Sequence, residues 1–292
     1  MITKISQQLY AQIPEDTLYH YTSLTGLMGI VESKMLRASD IRYMNDSTEL
    51  KHLLVLLSDE INIRLNAGSA FAQLLNQFSQ WLSHRIVDGP MLFGASFRAN
   101  GNLLSQWRGY STHGKGVSLG FNPKYVLDCA AYHDFSVGKC IYNPEEQKQI
   151  ARQIVNSVEN TAKSNHADYV QAAIPDFTPI FEYIEGDLLK IAAILKHPSF
   201  EEEQEWRVVS PIFTQSNQAP IYFRESLSML VPYYAFDFTR NNPEHTLQLQ
   251  HVFVGPTSNS ELSMKSVALY LQRQGCSPTE KISYCRIPYR QK

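Results

Sequence analysis

The chain has 292 residues, of which 43% are hydrophobic and 18% charged, with a formal net charge of -2. That composition supports a sizeable core and excludes global disorder, and near-neutrality removes any general electrostatic argument for nucleic acid while leaving room for a local basic groove. The four cysteines, Cys129, Cys140, Cys276 and Cys285, form no C-x-x-C pair, which argues against a zinc site or a disulfide framework and for reduced thiols in a cytoplasm.

The opening MITKISQQLYAQIPEDT lacks the long apolar core of a signal peptide, and no run of about 18 apolar residues predicts a membrane span. A cytoplasmic protein with no membrane partner is therefore expected. Residues 2–13 read as a short amphipathic helix closed by Pro14, followed by a strand at TLYHY. Ser23 suits the N-cap of the next helix, in which Leu24, Leu27, Met28 and Val31 fall at i, i+3, i+4 and i+7 on one apolar face. MLRAS reads as a second strand. DIRYMNDSTEL reads as a polar loop, with Asp46 or Ser47 as cap, leading to two helices over roughly 47–65 and 69–86.

MLFGASF, residues 91–97, fits a buried strand. LLSQWRGYSTHGKGVSLGFNP predicts a short helix or turn, a Gly-rich loop and a strand at 116–121, and FSVGKCIY a further strand. From 145 to about 195 the pattern is helical with a break near IPDFTP. EQEWRVVSPIF, IYFRE, MLVPYYAF, HVFVGP and KISYCRIPYR read as strands, with a helix at 260–273. There is no repeat or low-complexity tract, and TRNNPEHT, the most linker-like segment, is followed by more strand-like sequence. Short strands mixed with helices, without regular βαβ alternation, give a single α+β domain over 1–292.

Four constellations can carry chemistry. His20, with Tyr21 and Thr22, stands at the end of a strand, where an imidazole can meet a ribose hydroxyl or a carbonyl; a core histidine bonded to backbone is the plainer alternative. Tyr43, Asn45, Asp46 and Glu49 gather polar groups at a helix start, where Asp46 and Glu49 match the spacing of a capping box. In SQWRGYSTHGKG, Trp107 and Tyr110 can stack on a planar ring and Arg108 or Lys115 can meet phosphate, or the segment is a surface turn around one core Trp; no Walker or Rossmann spacing is present. In FEEEQEWRVV, a strand would set Glu203, Glu205 and Arg207 on one face and Trp206 and Val208 on the other. An edge strand guarded by charges is the competing account. G-x-S-x-G and H-E-x-x-H are absent.

Taken in order, LYHYTS, YMNDSTE, LLSQWRGYSTHGKGVSLGF, EEEQEWR and IPYR resemble the bacterial family known as domain of unknown function 2971, from about residue 17 to 290. That family is in turn similar to a distant branch of the ADP-ribosyltransferase superfamily. The resemblance implies a split β-core of short, mostly antiparallel strands flanked by helices, with NAD bound as co-substrate. It implies that His20 holds the NAD ribose or adenosine side and that Glu205, with Glu203 upstream, completes a catalytic site. An aromatic, with Trp107, Tyr110 and Tyr43 all open, would stack on nicotinamide, and Arg37, Arg108 or Arg207 would neutralise the pyrophosphate. The superfamily's usual middle motif is not cleanly present. No metal is needed.

The chemistry suits these residue types. Breaking the nicotinamide–ribose bond develops positive charge on the sugar, which a fixed carboxylate stabilises in the transition state. The expectation is an NAD-dependent ADP-ribosyltransferase, a toxin or phage-defence effector, with RNA, DNA or protein as acceptor and an antitoxin protein as the partner such a role implies. An NAD glycohydrolase uses the same site. A non-catalytic nucleotide- or partner-binding module on the same fold, and a metal-independent nuclease using His20 and Glu205, are the alternatives from other classes.

Overall fold

The computed structural model describes residues 2–44, 49–110, 116–164, 175–215, 219–226, 228–240 and 245–287. In chain order the described elements are α1 (Ile2–Leu9), β1 (Leu18–Ser23), α2 (Leu24–Ser33), β2 (Met35–Asp40), α3 (Glu49–Asn66), α4 (Ala72–Asp88), β3 (Phe93–Arg98), α5 (Leu104–Tyr110), β4 (Gly116–Phe121), α6 (Pro123–Tyr132), β5 (Ser136–Lys139), α7 (Pro144–Ser164), α8 (Thr178–Ala192), β6 (Glu205–Val209), β7 (Ile221–Glu225), β8 (Leu230–Asp237), β9 (His251–Val254), α9 (Ser260–Arg273) and β10 (Lys281–Tyr284). Short 3-10 turns, Ile41–Tyr43 and Pro198–Glu203, precede α3 and β6.

The chain is mixed α+β, built on one ten-stranded sheet. Its main path runs β10-β9-β4-β1-β3-β2-β8-β7, with β6 paired to β3 and β5 paired to β6. The pairings are antiparallel except β10 with β9. Alternation within the strands then assigns the faces. Phe93, Ala95 and Phe97 of β3, Trp206 and Val208 of β6, and Val117, Leu119 and Phe121 of β4 point into one core with α2, α6 and α9. On the other face, Val209 meets a second core made by α1, α3, α4, α7 and α8. A smaller cluster of Tyr21, Trp107 and Cys285 covers the β1 end.

Several local expectations hold and several shift. Ser23 caps α2, its side chain accepting from Gly26 N. The first helix stops at Leu9 rather than 13, because Tyr10 turns away and its ring lies against β5. The strand expected across EQEWRVVSPIF is confined to Glu205–Val209, so Glu203 does not share a strand face with Glu205. Glu203 ends a 3-10 turn, and Gln204 adopts a left-handed conformation before the strand begins. Nor is β6 an edge, since β3 and β5 flank it on both sides. Asp46 and Ser47, read as caps, lie outside the described residues.

The feature that matters most for function is at β3. Strand β6 pairs with β3 from Gly94 to Arg98 and so occupies one whole edge. Both β1 and β2 must use the other edge. β1 touches it at Tyr19↔Arg98, and β2 at Ser39↔Gly94 and Asp40↔Phe93. Between those points β1 and β2 diverge, joined at the top by α2, and the sheet is split in front of Ala95, Ser96 and Phe97.

Gly138 of β5 shows how tightly the second face is covered. A Cβ there would lie 2.6 Å from Tyr10 Cε1 and 3.2 Å from Ile194 Cγ2. The Tyr10 ring is pinned, because its hydroxyl donates to Lys190 O at 2.7 Å. Gly138→Ala should therefore destabilise the protein by about 1–3 kcal/mol, the usual cost of overpacking. Urea unfolding monitored by tryptophan fluorescence checks this.

Candidate functional site

The fork between β1 and β2 is open. It forms a cleft of about 510 Å³ whose walls are β1 from His20 to Ser23, the first turns of α2, and β2 from Met35 to Ser39. Its floor is Gly94, Ala95 and Ser96 of β3, and Tyr43, Met44, Tyr110 and Arg224 close the rim. Gly26 lets α2 come down onto β1, since a Cβ there would overlap the Thr22 hydroxyl.

His20 stands at the fork itself. Strand divergence leaves the Ser96 carbonyl without a ladder partner, and His20 Nδ1 reaches it at 3.0 Å. A carbonyl only accepts, so Nδ1 carries the proton. Burial against Phe97, with the ring centroids 5.9 Å apart, pushes the imidazole down to about 4, and the Arg98 charge nearby pushes the same way against the Ser96 bond. At neutral pH His20 is thus uncharged, with Nε2 as a hydrogen-bond acceptor that no described residue engages.

The charged lining has one sign. Arg37 and Arg224 are the only ionised side chains among the described residues that line the cleft. Neither makes an ion pair with a described residue. Arg224 reaches Ser39 Oγ at 3.4 Å, and the Arg37 guanidinium lies 5.4 Å from the centre of the Tyr233 ring. Hydroxyls of Thr22, Ser23, Thr25, Ser33 and Ser39 complete the wall. The cleft therefore suits an anion that also carries hydroxyl donors.

Behind the floor lies a sealed group of charges. Glu205 is 0% exposed. Arg207 Nε donates to its Oε1 at 2.6 Å, Arg98 lies 3.3 Å from its Oε2, and Lys196 Nζ bonds that same oxygen. Glu203 takes Arg98 at 2.7 Å and Lys196 at 2.6 Å. Burial alone would raise the Glu205 carboxyl; Arg207, Arg98 and Lys196 together hold it well below the usual carboxylate range. Burial likewise opposes the charge on Lys196, and Glu205 keeps it protonated. Arg98 Nε has no hydrogen-bond partner among the described residues.

The structure thus gathers His20, Thr22, Arg37, Tyr43 and Tyr110 around the cleft, and Tyr21 borders it. It separates others from them. Trp107 cannot stack on a ligand ring: it is 0% exposed, edge-on to Tyr21 at 4.9 Å, with Nε1 donating to Asn102. The Tyr21 hydroxyl is also committed, donating to Asn100 O and accepting from Leu103 N. Arg207 cannot meet a pyrophosphate, because it is buried with its guanidinium on Glu205 and Ala193 O. Arg108 is exposed on α5 and does not line the cleft. Glu203 and Glu205 do not line it either. Asn45, Asp46 and Lys115 lie outside the described residues, as does the side chain of Glu49.

Sequence reasoning missed Arg98, Lys196, Ser96 and Arg224. Arg98 had a signal, a lone cation closing the apolar run MLFGASF. Lys196 in AAILKHPSF had the same one. Arg224 alternates with exposed aromatics in an edge strand, and nothing local tells it apart.

A model of the family described as protein of unknown function (DUF2971) matches residues 106–208. The matched stretch runs from α5 through β6, so it contains Lys196, Glu203, Glu205 and Arg207 and none of the β1, β2 or β3 side of the cleft. A search of curated proteins found no match to the chain.

The buried charges generate a stability prediction. Glu205→Gln leaves Arg98, Lys196 and Arg207 facing Glu203 alone, and breaking such a network should cost about 3–5 kcal/mol. The depressed Glu205 carboxyl contributes stability that is present above its ordinary value of 4.5 and lost as pH falls through its lower folded value. Denaturant midpoints measured from neutral pH downward should show this acid loss in the wild type and a shallower one in the variant.

Proposed function

We propose that the protein binds NAD in the fork cleft and transfers its ADP-ribose unit to an acceptor. One observation carries the reading: His20 is neutral, its Nδ1–H is spent on Ser96, and its Nε2 is left to accept from a ligand in a cleft whose ionised lining is cationic. A dinucleotide offers the complement, ribose hydroxyls for Nε2 and a pyrophosphate for Arg37 and Arg224. The start of α2 adds the positive end of a helix dipole along the same wall. Tyr43 and Tyr110 at the rim supply ring faces for a planar base.

In the transfer, the bond between ribose C1′ and the nicotinamide nitrogen breaks, and nicotinamide leaves with the bonding pair. An acceptor lone pair forms the new bond to C1′, and the acceptor's proton passes to solvent. Positive charge builds on the sugar in between, where a carboxylate lowers the barrier. In this reading that carboxylate is Glu205. It serves only when the bound nucleotide opens the buried cluster in which Arg207, Arg98 and Lys196 hold it. Water in the acceptor's place makes the same protein an NAD glycohydrolase.

The enclosure of Glu205 favours a second reading, a nucleotide-binding module without turnover in which the charge cluster is structural. Two measurements on the wild type separate them. Calorimetry with NAD tests the cleft, and nicotinamide release in the presence of RNA, DNA or cell extract tests the chemistry. Binding with release supports transfer. Binding without release supports the module, and no binding sinks both.

His20→Asn keeps a donor for the Ser96 carbonyl and deletes Nε2. It should weaken NAD about threefold to tenfold, the worth of one hydrogen bond, with little change in stability. Because His20 ionises at about 4, wild-type affinity should stay level between about pH 8 and pH 5. A drop centred near 6.5 would show an ordinary surface imidazole and remove the argument for Nε2.

A further inference from the structure

We infer that the sheet face beside the cleft, built by β2, β8 and β7, binds single-stranded nucleic acid; as the identity of the acceptor, this rests on the transfer reading above. Register assigns the face. Strand β8 pairs with both neighbours, placing Tyr233 opposite Ser39 and Tyr222, Ala235 opposite Arg37, and Val231 opposite Arg224. Paired residues share a face. Arg37, Ser39, Tyr233, Tyr222 and Arg224 therefore lie together, while Leu36, Ala38, Tyr234 and Phe236 turn the opposite way into the core.

This face has the composition of a stacking lane. The Tyr222 and Tyr233 rings stack with centroids 5.9 Å apart and 29° between planes, and Tyr222 is 52% exposed at the sheet edge. The Arg37 guanidinium lies over Tyr233, and Arg224 stands on the strand of Tyr222. Both guanidiniums lack a carboxylate partner among the described residues. Asp237, which register puts on the same face beyond Arg37, is taken up by Thr239 and Arg240.

A half-exposed tyrosine stacked on a second ring, flanked by guanidiniums with no carboxylate partner among the described residues, matches a strand that presents bare bases and phosphates. A duplex hides its base faces, and an apolar peptide would leave both guanidiniums unmatched. Neither Tyr222 nor Tyr233 lines the cleft, whereas Arg37 and Arg224 do. The lane thus runs into the cleft mouth without being part of it. With a chain charge of -2, any attraction is local to this face.

The test uses the full chain with fluorescent single-stranded RNA and DNA of about 12 nucleotides, read by anisotropy at several salt concentrations. Wild type should bind, more weakly as salt rises and less well to the duplex of the same sequence. Tyr222→Ala should weaken the strand about tenfold, the loss of one stacked base, and Tyr222→Trp should restore it. NAD affinity, measured alongside, should be the same in all three proteins. Equal strand binding by Tyr222→Ala, or none by wild type, overturns the proposal. A parallel loss of NAD affinity overturns it too, by giving the ring pair to the nucleotide's own base. Self-association abolished by Tyr222→Ala would assign the face to a second copy instead. Tyr222-dependent strand binding without any NAD binding keeps this surface and removes the transfer reading.

Discussion

A strand in a sheet has two edges, and β3 gives one of them to β6 and divides the other between β1 and β2. The second edge is too short for two full partners, so the two strands part over Ala95–Phe97 and a backbone carbonyl is left in the gap. A backbone carbonyl that loses its ladder partner needs another donor. His20 supplies it, and doing so fixes the ring orientation, the tautomer and the free nitrogen. The cleft, the histidine that serves it and the helix along its wall all follow from that division of one strand edge.

The charge cluster behind the floor answers to a different constraint. Strand β6 lies between β3 and β5, and its Glu205 and Arg207 side chains face the helical layer. Neither ion is tolerable alone in that environment. They neutralise each other, and Arg98 from β3 and Lys196 from the loop after α8 close the group with Glu203. The cluster holds three cations against two carboxylates. Burial keeps the His20 imidazole neutral, and the nearby Arg98 charge pushes the same way. Arg98 thus joins the two regions, tying β3 to β6 and the turn before it while adding to the effect of burial at the fork.

Beyond the fork, the sheet continues through β2 into β8 and β7, and one face carries Tyr222, Tyr233, Arg37 and Arg224 where the other face carries core. Arg37 belongs to both regions. One strand, β2, therefore provides a wall of the cleft from Met35 to Ser39 and part of the neighbouring surface through Arg37 and Ser39.

What the sequence determined by itself is local. The caps and periodicities that place α2, β4 and α9 depend on neighbours within a few residues, whereas His20, read as the end of a strand, lies inside β1 opposite Leu119, because pairing with β4 carries the strand on to Ser23. Composition was enough for a large core, and short strands mixed with helices for an α+β chain. Glu205 and Arg207 were legible as a pair on one strand face, because alternation alone puts them there. Tertiary structure decided the rest. Whether β6 was an edge depended on β3 and β5, which lie far off in the chain, and being interior turned its Glu205 from an accessible carboxylate into a sealed one. Trp107 read equally well as a platform or as core, and only the approach of Tyr21 made it core. Arg98 and Arg224 acquired their surroundings from strand register, and register is set by how whole strands pair, which no short stretch of sequence encodes.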